Sequence, residues 1–262
     1  MFPSYLRYAD EENDSNSAQL RPNLTIEAGN YLRYLDASVE DLFYHVLTVL
    51  HNPTYREANA DGLRMGWPRV PLPGWPDGKA EGAADTLAQS AARGRELAQL
   101  LDPETPVPGV TQGALRPEIA AIAVPTTSDG RNMTGDDFAV TAGWGHFGSG
   151  QAVMPGKGRA IERDYSRVER VDLSDAILTL GETTFDIYLN DRAYWRNIPA
   201  AIWDYKLGGY QVLKKWLSYR EHKVLDRALS PEEVQYFADT ARRIGAILLM
   251  KARVQNTGNY GA

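Results

Sequence analysis

The hydrophobic pattern of this 262-residue chain changes period twice, and that change constrains the fold more than any single motif. Over residues 38–101, apolar side chains recur at helical spacing. Over residues 118–189, short apolar runs are separated by glycine-rich turns, which is typical of strands. Helical spacing returns over 199–253. The order predicts an α+β fold, with N-terminal helices, a central strand-rich region with glycine-rich loops, and C-terminal helices.

Local signals place the starts of three helices. Ser38–Asp41 resembles a capping box, so a helix is expected to begin there. Asn52-Pro53 can cap and begin a second helix, because proline is well tolerated at the first helical position. Ser230–Glu233 combines a cap, a proline and a glutamate in the same way. The apolar positions predicted to pack along that last helix are Val234, Phe237, Ala241, Ile244 and Leu248.

Other segments are predicted to be extended or irregular. Four prolines keep residues 66–78 out of a helix, and a helix of roughly 79–101 follows. Residues 1–37 are polar and irregular, which indicates a lead-in segment or linker and leaves 38–262 as one domain. Strands are predicted at Ile119–Val124, Phe138–Ala142 and Arg159–Val168, and at the alternating stretch from Phe185 to Leu189.

Composition and charge narrow the classes of function. The absence of cysteine removes disulfides and thiolate metal sites, and it suits the cytoplasm. The longest apolar run, Ile244–Met250, is far shorter than the roughly 20 residues that span a bilayer, so no membrane partner is expected. The net charge is −6, but from Asn190 onward 12 Lys and Arg face 7 Asp and Glu, against 16 and 27 before it. A basic C-terminal part on an acidic body can present one electropositive face, although uneven surface charge without a partner gives the same counts.

The motifs that suggest catalysis fail on context or spacing. Asn52-Pro53-Thr54-Tyr55 resembles the Asn-Pro-Pro-Tyr signature of N6-adenine methyltransferases, but it follows a helix and no glycine-rich cofactor turn precedes it. Gly150–Gly158 is one residue too long for a phosphate loop and lacks the hydroxyl that holds magnesium. Ser149 does not stand in a nucleophile elbow, and the four histidines are scattered. We therefore expect no catalytic centre, no metal site and no cofactor in this chain.

Candidate binding residues concentrate in Tyr194–Arg220. Gly208-Gly209 predicts a tight turn, followed by a short helix with one apolar face that includes Trp216. Basic and amide side chains among aromatic ones suit phosphate contact and base-edge recognition, whereas a core helix with extended lysines is the alternative. Gln211 can either bond to an adenine or brace the glycine turn.

Two further groups complete the candidate set. Glycine-rich turns are expected to hold Arg131, Asn132, Lys157 and Arg159 at exposed loop tips. Lys206, Lys214 and Arg220 are expected to be exposed on the C-terminal segment. The residues predicted to contact nucleic acid are Lys157, Arg159, Arg196, Lys206, Gln211, Lys214 and Arg220.

The stretch from Trp203 to Leu217, which includes Gly-Gly-Tyr-Gln-Val-Leu-Lys-Lys-Trp-Leu, resembles the C-terminal target-recognition domain of type ISP restriction–modification enzymes and related fused N6-adenine DNA methyltransferases. Two upstream pieces are similar as well, Phe2–Leu6 and Val46–Tyr55 continuing to Trp67–Pro73. The order and spacing of the three blocks make the resemblance specific. It thins between residues 76 and 185, where individual residues cannot be matched.

The resemblance implies a sequence-specific DNA recognition module of a larger adenine-N6 DNA methyltransferase or restriction–modification enzyme, without a catalytic centre of its own. The implied partners are double-stranded DNA and an upstream methyltransferase domain in the same polypeptide. S-adenosylmethionine would serve that upstream domain and not this chain. The alternatives are a protein-interaction scaffold and, less favoured, an independent enzyme that acts on nucleic acid.

Overall fold

The structure is a computed structural model that describes residues 5–8, 19–75 and 81–256. Its contacts divide the chain into two units, residues 1–99 with 254–262, and residues 100–253. The strands are β1 (Tyr5–Tyr8), β2 (Gln19–Pro22), β3 (Val124–Thr127), β4 (Gly145–Phe147), β5 (Val153–Pro155), β6 (Ala160–Asp164), β7 (Thr183–Tyr188), β8 (Ala193–Pro199), β9 (Lys206–Leu207) and β10 (Tyr210–Gln211).

Helices make up most of the remaining regular structure. They are α1 (Ile26–Leu35), α2 (Val39–His51), α3 (Pro53–Ala58), α4 (Ala60–Met65), α5 (Ala83–Leu101), α6 (Pro117–Ala120), α7 (Arg167–Leu173), α8 (Ile177–Leu180), α9 (Ala200–Trp203), α10 (Val212–Ser218), α11 (His222–Leu225) and α12 (Pro231–Asn256). Short 3₁₀ turns lie at Gly135–Phe138, Ser149–Gln151 and Ser174–Ala176. Helices and antiparallel sheets alternate along the chain, which confirms the α+β class. None of the helices in the described ranges is long and apolar enough to cross a bilayer.

The predicted helix starts are confirmed by their caps. Ser38 and Asp41 form a reciprocal capping box at the start of α2. The side chain of Asn52 accepts bonds from the first backbone N–H groups of α3. At α12, the backbone N–H of Ser230 donates to the Glu233 carboxylate, and the Ser230 hydroxyl accepts from the Glu233 N–H. Local hydrogen bonding therefore sets these boundaries.

The first unit contains a helix that sequence analysis missed. Residues 1–37 were predicted to be irregular, yet Ile26–Leu35 form α1, capped by Thr25, and Tyr5–Tyr8 pair with Gln19–Pro22. Tyr31, Leu32 and Leu35 are buried against Ala83 and Leu87 of α5. Glu27, Asn30 and Arg33 interrupt its apolar residues, so the buried face is apparent only when α5 lies against it. The boundary predicted between residues 37 and 38 for a recognition domain stays a prediction.

Helices α2 and α5 approach closely through a polar core. Both ring nitrogens of buried His45 are bonded, one to the Ser90 hydroxyl at 2.8 Å and one to the Pro71 carbonyl at 2.9 Å. Burial lowers the pKa of His45, which favours the neutral ring. A side chain at Gly94 would lie 2.0 Å from the Tyr44 carbonyl oxygen, so the crossing requires glycine there. The predicted helix near 79–101 is confirmed from Ala83, and residues 76–80 lie outside the described part.

The second unit is built on a four-stranded antiparallel sheet with strand order β3-β8-β7-β6. Trp195 of β8 points to the face covered by α12, where its ring stacks on Phe237 with centroids 4.0 Å apart. The Trp195 indole N–H donates to the Val234 carbonyl of α12. Phe237, Ala241 and their neighbours at helical spacing are buried, which confirms the predicted packing seam except at half-buried Leu248. The strand predicted from Phe185 is confirmed as β7, but an irregularity between Phe185 and Ile187 interrupts the alternation, so Thr184 and Ile187 are fully buried while Phe185 is half-buried.

The strand predicted at Ile119–Val124 is wrong. Pro117 begins the short helix α6, and β3 starts only at Val124. Ile119 and Ile122 are fully buried in a helix and the turn after it. A short apolar run signals burial in either kind of element, so it could not decide between them.

Two other strand predictions need correction. No strand forms at Phe138–Ala142, because Thr134 caps a 3₁₀ turn and the Asn190 side-chain amide donates to the carbonyls of Asp137 and Ala139. The strand predicted over Arg159–Val168 is shortened to β6. Ser166 then caps α7, so the chain turns helical where strand was expected.

Candidate nucleic-acid interface

In the second unit, the glycines of the glycine-rich loops allow close packing of the backbone against its neighbours. The N–H of Gly156 donates to the Trp144 carbonyl at 2.6 Å, which holds the outgoing end of the β4–β5 hairpin beside its incoming end. At Gly158, with φ +67°, a Cβ would lie 2.0 Å from the ring of buried Trp144. At Gly145, a Cβ would lie 1.8 Å from the Ser218 carbonyl oxygen at the end of α10. Because these positions carry no side chain, the β4–β5 hairpin packs directly against Trp144 and α10.

A buried carboxylate ties the same hairpin to the chain after α10. Glu221 accepts from the backbone N–H of Trp144 at 2.7 Å and of Gly143 at 3.2 Å. The Trp144 indole N–H donates to the Tyr188 carbonyl of β7. Because each of these groups is bonded, the start of β4 is fixed between the sheet and the C-terminal helices.

The predicted Gly208-Gly209 turn is confirmed as the tip of a two-residue hairpin that joins β9 and β10. Both glycines have positive φ, +57° and +85°, as type I′ turns require. The Gln211 side-chain amide donates to the Trp203 carbonyl and to the Asp204 carboxylate, 3.0 Å away. Gln211 therefore braces the hairpin, the structural one of the two roles that sequence analysis left open.

Helix α10 follows the hairpin and separates apolar from polar side chains. Leu213 and Leu217 are buried, whereas Trp216 is half-buried and lies beside Phe237, with the two rings tilted at 54°. Lys215 lies on another face. Its ammonium is 5.0 Å from the ring centre of Tyr210 and 4.6 Å from that of Tyr219, which places it over two exposed aromatic rings.

Lysines without acidic partners collect on this part of the unit. Six lysines lie in the described ranges, and for five of them, named below, no carboxylate oxygen lies within 4.0 Å of the ammonium nitrogen. Their elements contact one another: α10 packs on β4, β5 and β10, and α11 packs on β4. We call β4, β5, the residues that follow β5 to Lys157, the β9–β10 hairpin, α10 and α11 the lysine block. The five lysines are Lys157, Lys206, Lys214, Lys215 and Lys223.

Several arginines are instead committed to carboxylates. Arg131 was expected at an exposed loop tip as a donor, but its guanidinium bonds Asp137 through two nitrogens and also reaches Asp129. The Arg131 guanidinium holds the pKa of buried Asp137 well below its usual value. Arg163 bonds both Glu169 and Asp186. These pairs stabilise the fold and leave fewer donors for a ligand.

Three predicted contact residues also have internal partners. The Arg159 guanidinium lies 4.0 Å from the Tyr188 ring centre and 3.4 Å from Asp191. Arg196 is exposed on β8, with Nε 3.6 Å from Glu169. Arg220 was expected to be exposed, but it is half-buried.

The surroundings of Arg220 explain its burial. Its guanidinium lies 4.1 Å from the Trp216 ring centre and 3.8 Å from Glu233. Burial lowers the pKa of Arg220. The residue therefore packs against the second unit's helices, and the expectation that it extends into solvent is wrong.

The structure thus brings together part of the predicted set. Lys157, Lys206 and Lys214 lie in the lysine block, with Lys214 half-buried where exposure was expected. Lys215, Lys223 and Tyr210 lie in the same block and Tyr219 directly follows α10, but these four are not among the residues predicted from sequence. The spacing of Lys215 and Tyr219, four residues apart on a helix, was the available signal that they share a face.

The methyltransferase-like motif is a helix junction, as sequence analysis favoured. The Asn52 side-chain oxygen accepts from the N–H groups of Thr54 and Tyr55, and the Tyr55 hydroxyl donates to the Arg69 carbonyl. These groups are used to join α2, α3 and the segment after α4. Among the described residues, no cluster of three acidic or histidine side chains could hold a metal ion.

Comparison with known proteins adds to this geometry. No match was found among curated proteins. Among solved structures, a chain of the cryo-EM structure of a DrdV–DNA complex is similar, with a TM-score of 0.53 and 20% identity. The likeness, which is one of fold, covers 99% of this chain and 21% of that one, so this chain spans about a fifth of its length. Residues 1–244 match the family described as the type ISP C-terminal specificity domain, and the protein belongs to that family.

Proposed function

We propose that this chain recognises sequence in duplex DNA for a larger restriction–modification enzyme, and that the lysine block is the surface that faces the DNA. Membership of the type ISP specificity family supports the role. The observation that carries the proposal is the set of five lysines without carboxylate partners on elements that pack together. Duplex DNA is a dense array of phosphates, and most protein–DNA bonds go to the backbone.

The contrast between lysines and arginines supports this choice of surface. An arginine bonded to Glu169 or Asp137 must give up that pair to meet a phosphate, at a cost that offsets the new contact. A lysine without a carboxylate partner has no such pair to lose. The lysine block can therefore contribute binding free energy through counterion release although the whole chain carries a charge of −6.

We also propose the setting in which the module works. The parent is an adenine-N6 DNA methyltransferase, with or without ATP-dependent restriction, whose upstream domain lies in the same polypeptide and uses S-adenosylmethionine. The family description, a C-terminal specificity domain, supports a parent with further domains. This chain contributes recognition in the cytoplasm and binds no cofactor itself. Calorimetry with S-adenosylmethionine and this chain should give no heat of binding. Micromolar affinity would contradict the proposal that this chain binds no cofactor.

Salt titration tests the DNA-facing surface. The double variant Lys214→Gln/Lys215→Gln should bind a mixed-sequence duplex more weakly, with the slope of log affinity against log salt reduced by about two. Arg167→Gln/Arg170→Gln is the matched control, because it removes the same charge from exposed positions on α7. Equal slopes for the lysine variant and wild type, or equal losses in both variants, would contradict the proposal.

Selection from random duplexes tests sequence recognition. A specificity module should enrich one defined motif over several rounds at low salt. A pool that binds but remains random would reduce the role to sequence-independent DNA binding.

A further inference from the structure

The β9–β10 hairpin has one face turned toward the protein body and one turned away from it. Lys206 pairs with Gln211, and Leu207 pairs with Tyr210. Successive side chains of a strand point to opposite faces, and directly paired residues share a face. Gln211 bonds Trp203 and Asp204. Leu207 and Tyr210 therefore face away from those contacts.

That outward face is apolar and exposed. Leu207 is 55% exposed and Tyr210 is 59% exposed. Lys215, whose ammonium lies over the Tyr210 ring, places positive charge beside these two side chains, while exposed Lys206 lies on the other face of the hairpin. An apolar pair beside a lysine matches a DNA groove, where base edges and thymine methyl groups lie next to rows of phosphates.

The tip of the hairpin is free of side chains. A Cβ built at Gly208 or Gly209 meets nothing within 4 Å, so no packing constraint within the protein excludes a larger residue there. The positive φ angles are compatible with asparagine as well as glycine at the first position of a type I′ turn. A bare backbone at a projecting tip permits close approach to a ligand.

We propose that the β9–β10 hairpin is the element of the lysine block that enters the major groove, with Leu207 and Tyr210 against base edges. The inference rests on the proposed function and names the residues that determine specificity. A two-stranded ribbon fits the major groove, which is about 12 Å wide. Gln211 positions the hairpin and does not read a base, while Lys215 meets a flanking phosphate.

The substitution Gly208→Asn tests the tip with little effect on the fold. Asparagine suits this turn position, so the melting temperature should stay unchanged while the added side chain obstructs the groove. We expect at least tenfold weaker binding to the duplex selected from the random pool, at an unchanged salt slope because no charge is removed. Gly113→Asn is the matched control, since Gly113 has φ +70°, has nothing within 4 Å of a built Cβ and lies outside the lysine block.

Chemical protection tests which groove is occupied. Dimethyl sulfate methylates guanine N7, which lies in the major groove, so wild-type protein should protect guanines of the selected duplex and Gly208→Asn should lose that protection. Wild-type affinity for Gly208→Asn, an equal loss in Gly113→Asn, or unprotected guanines in the wild-type complex would each overturn the inference. Failure of this inference can be distinguished from failure of the proposed function. If the lysine variants lower the salt slope while Gly208→Asn binds normally, the lysine block faces DNA but the hairpin does not enter the groove.

Discussion

The buried carboxylate of Glu221 accepts a 2.7 Å hydrogen bond from the backbone N–H of Trp144, and this bond joins the segment after α10 to the start of the β4–β5 hairpin. The second carboxylate oxygen accepts from Gly143. Both partners are backbone N–H groups in a turn, so no helix or strand would provide them with another acceptor if Glu221 were lost. The arrangement of the lysine block therefore depends on a buried side chain outside the proposed DNA contacts.

Glu221→Gln should destabilise the protein by about 1–3 kcal/mol, because the amide turns one acceptor into a donor that faces a backbone N–H. Urea unfolding measures the change. Glu182→Gln is the control, since Glu182 is exposed and its variant should stay within about 0.5 kcal/mol of wild type. Equal stabilities for the two variants would mean that water replaces the Glu221 contacts.

Gly158→Ala should be more destabilising than Gly150→Ala. The two glycines have nearly the same φ, +67° and +68°, so backbone strain contributes equally to both variants. Only at Gly158 does the new methyl meet a buried ring, that of Trp144 at 2.0 Å, whereas Gly150 has nothing within 4 Å. Thermal melts should show an extra loss of about 1–3 kcal/mol at Gly158. Matching losses would show that Trp144 moves aside freely.

The stability contributed by Glu169 should depend on pH. Burial by itself raises the pKa of Glu169, but bonds from Arg163 and Ser166 outweigh it and lower the pKa to about 2. A carboxylate with a depressed pKa in the folded state stabilises the fold above its unfolded pKa, and that stability is lost as the pH falls through the folded pKa. Glu169→Gln should therefore be less stable than wild type at pH 7, by on the order of 3 kcal/mol.

That difference should shrink between about pH 4.5 and pH 2, as Glu169 becomes protonated in the wild type. Unfolding free energies at several pH values give the test, with Glu96→Gln as a control at an exposed position. A difference between Glu169→Gln and wild type that stays constant over this pH range would contradict the assigned ion pairs.

Arg220→Ala should cost about 1–2 kcal/mol, whereas Lys206→Ala should change stability by no more than about 0.5 kcal/mol. Arg220 covers the Trp216 ring and lies near Glu233, while Lys206 is exposed. Arg220→Lys should recover only part of the loss, because an ammonium lacks the planar stacking surface of a guanidinium. Equal effects of the two alanine variants on melting would show that Arg220 does not contribute through packing.

Sequence alone determined the features that depend on neighbouring residues. The caps at Ser38, Asn52 and Ser230 were predicted correctly because a cap is a bond between residues two or three positions apart. The Gly208-Gly209 turn was predictable for the same reason, since glycine adopts positive φ angles at low cost. The resemblance to type ISP specificity domains, carried by spaced sequence blocks, was confirmed by the family match.

Tertiary structure decided what depends on distant partners. The apolar run Ile119–Val124 is buried, but only packing against α12 and β8 determined that it begins as a helix. Sequence could not distinguish Arg220, which packs on Trp216, from Lys215, which has no carboxylate partner among the described residues. The partners of a charged side chain come from elsewhere in the chain, as Glu233 does for Arg220, and that pairing decides which basic residues remain able to meet a phosphate.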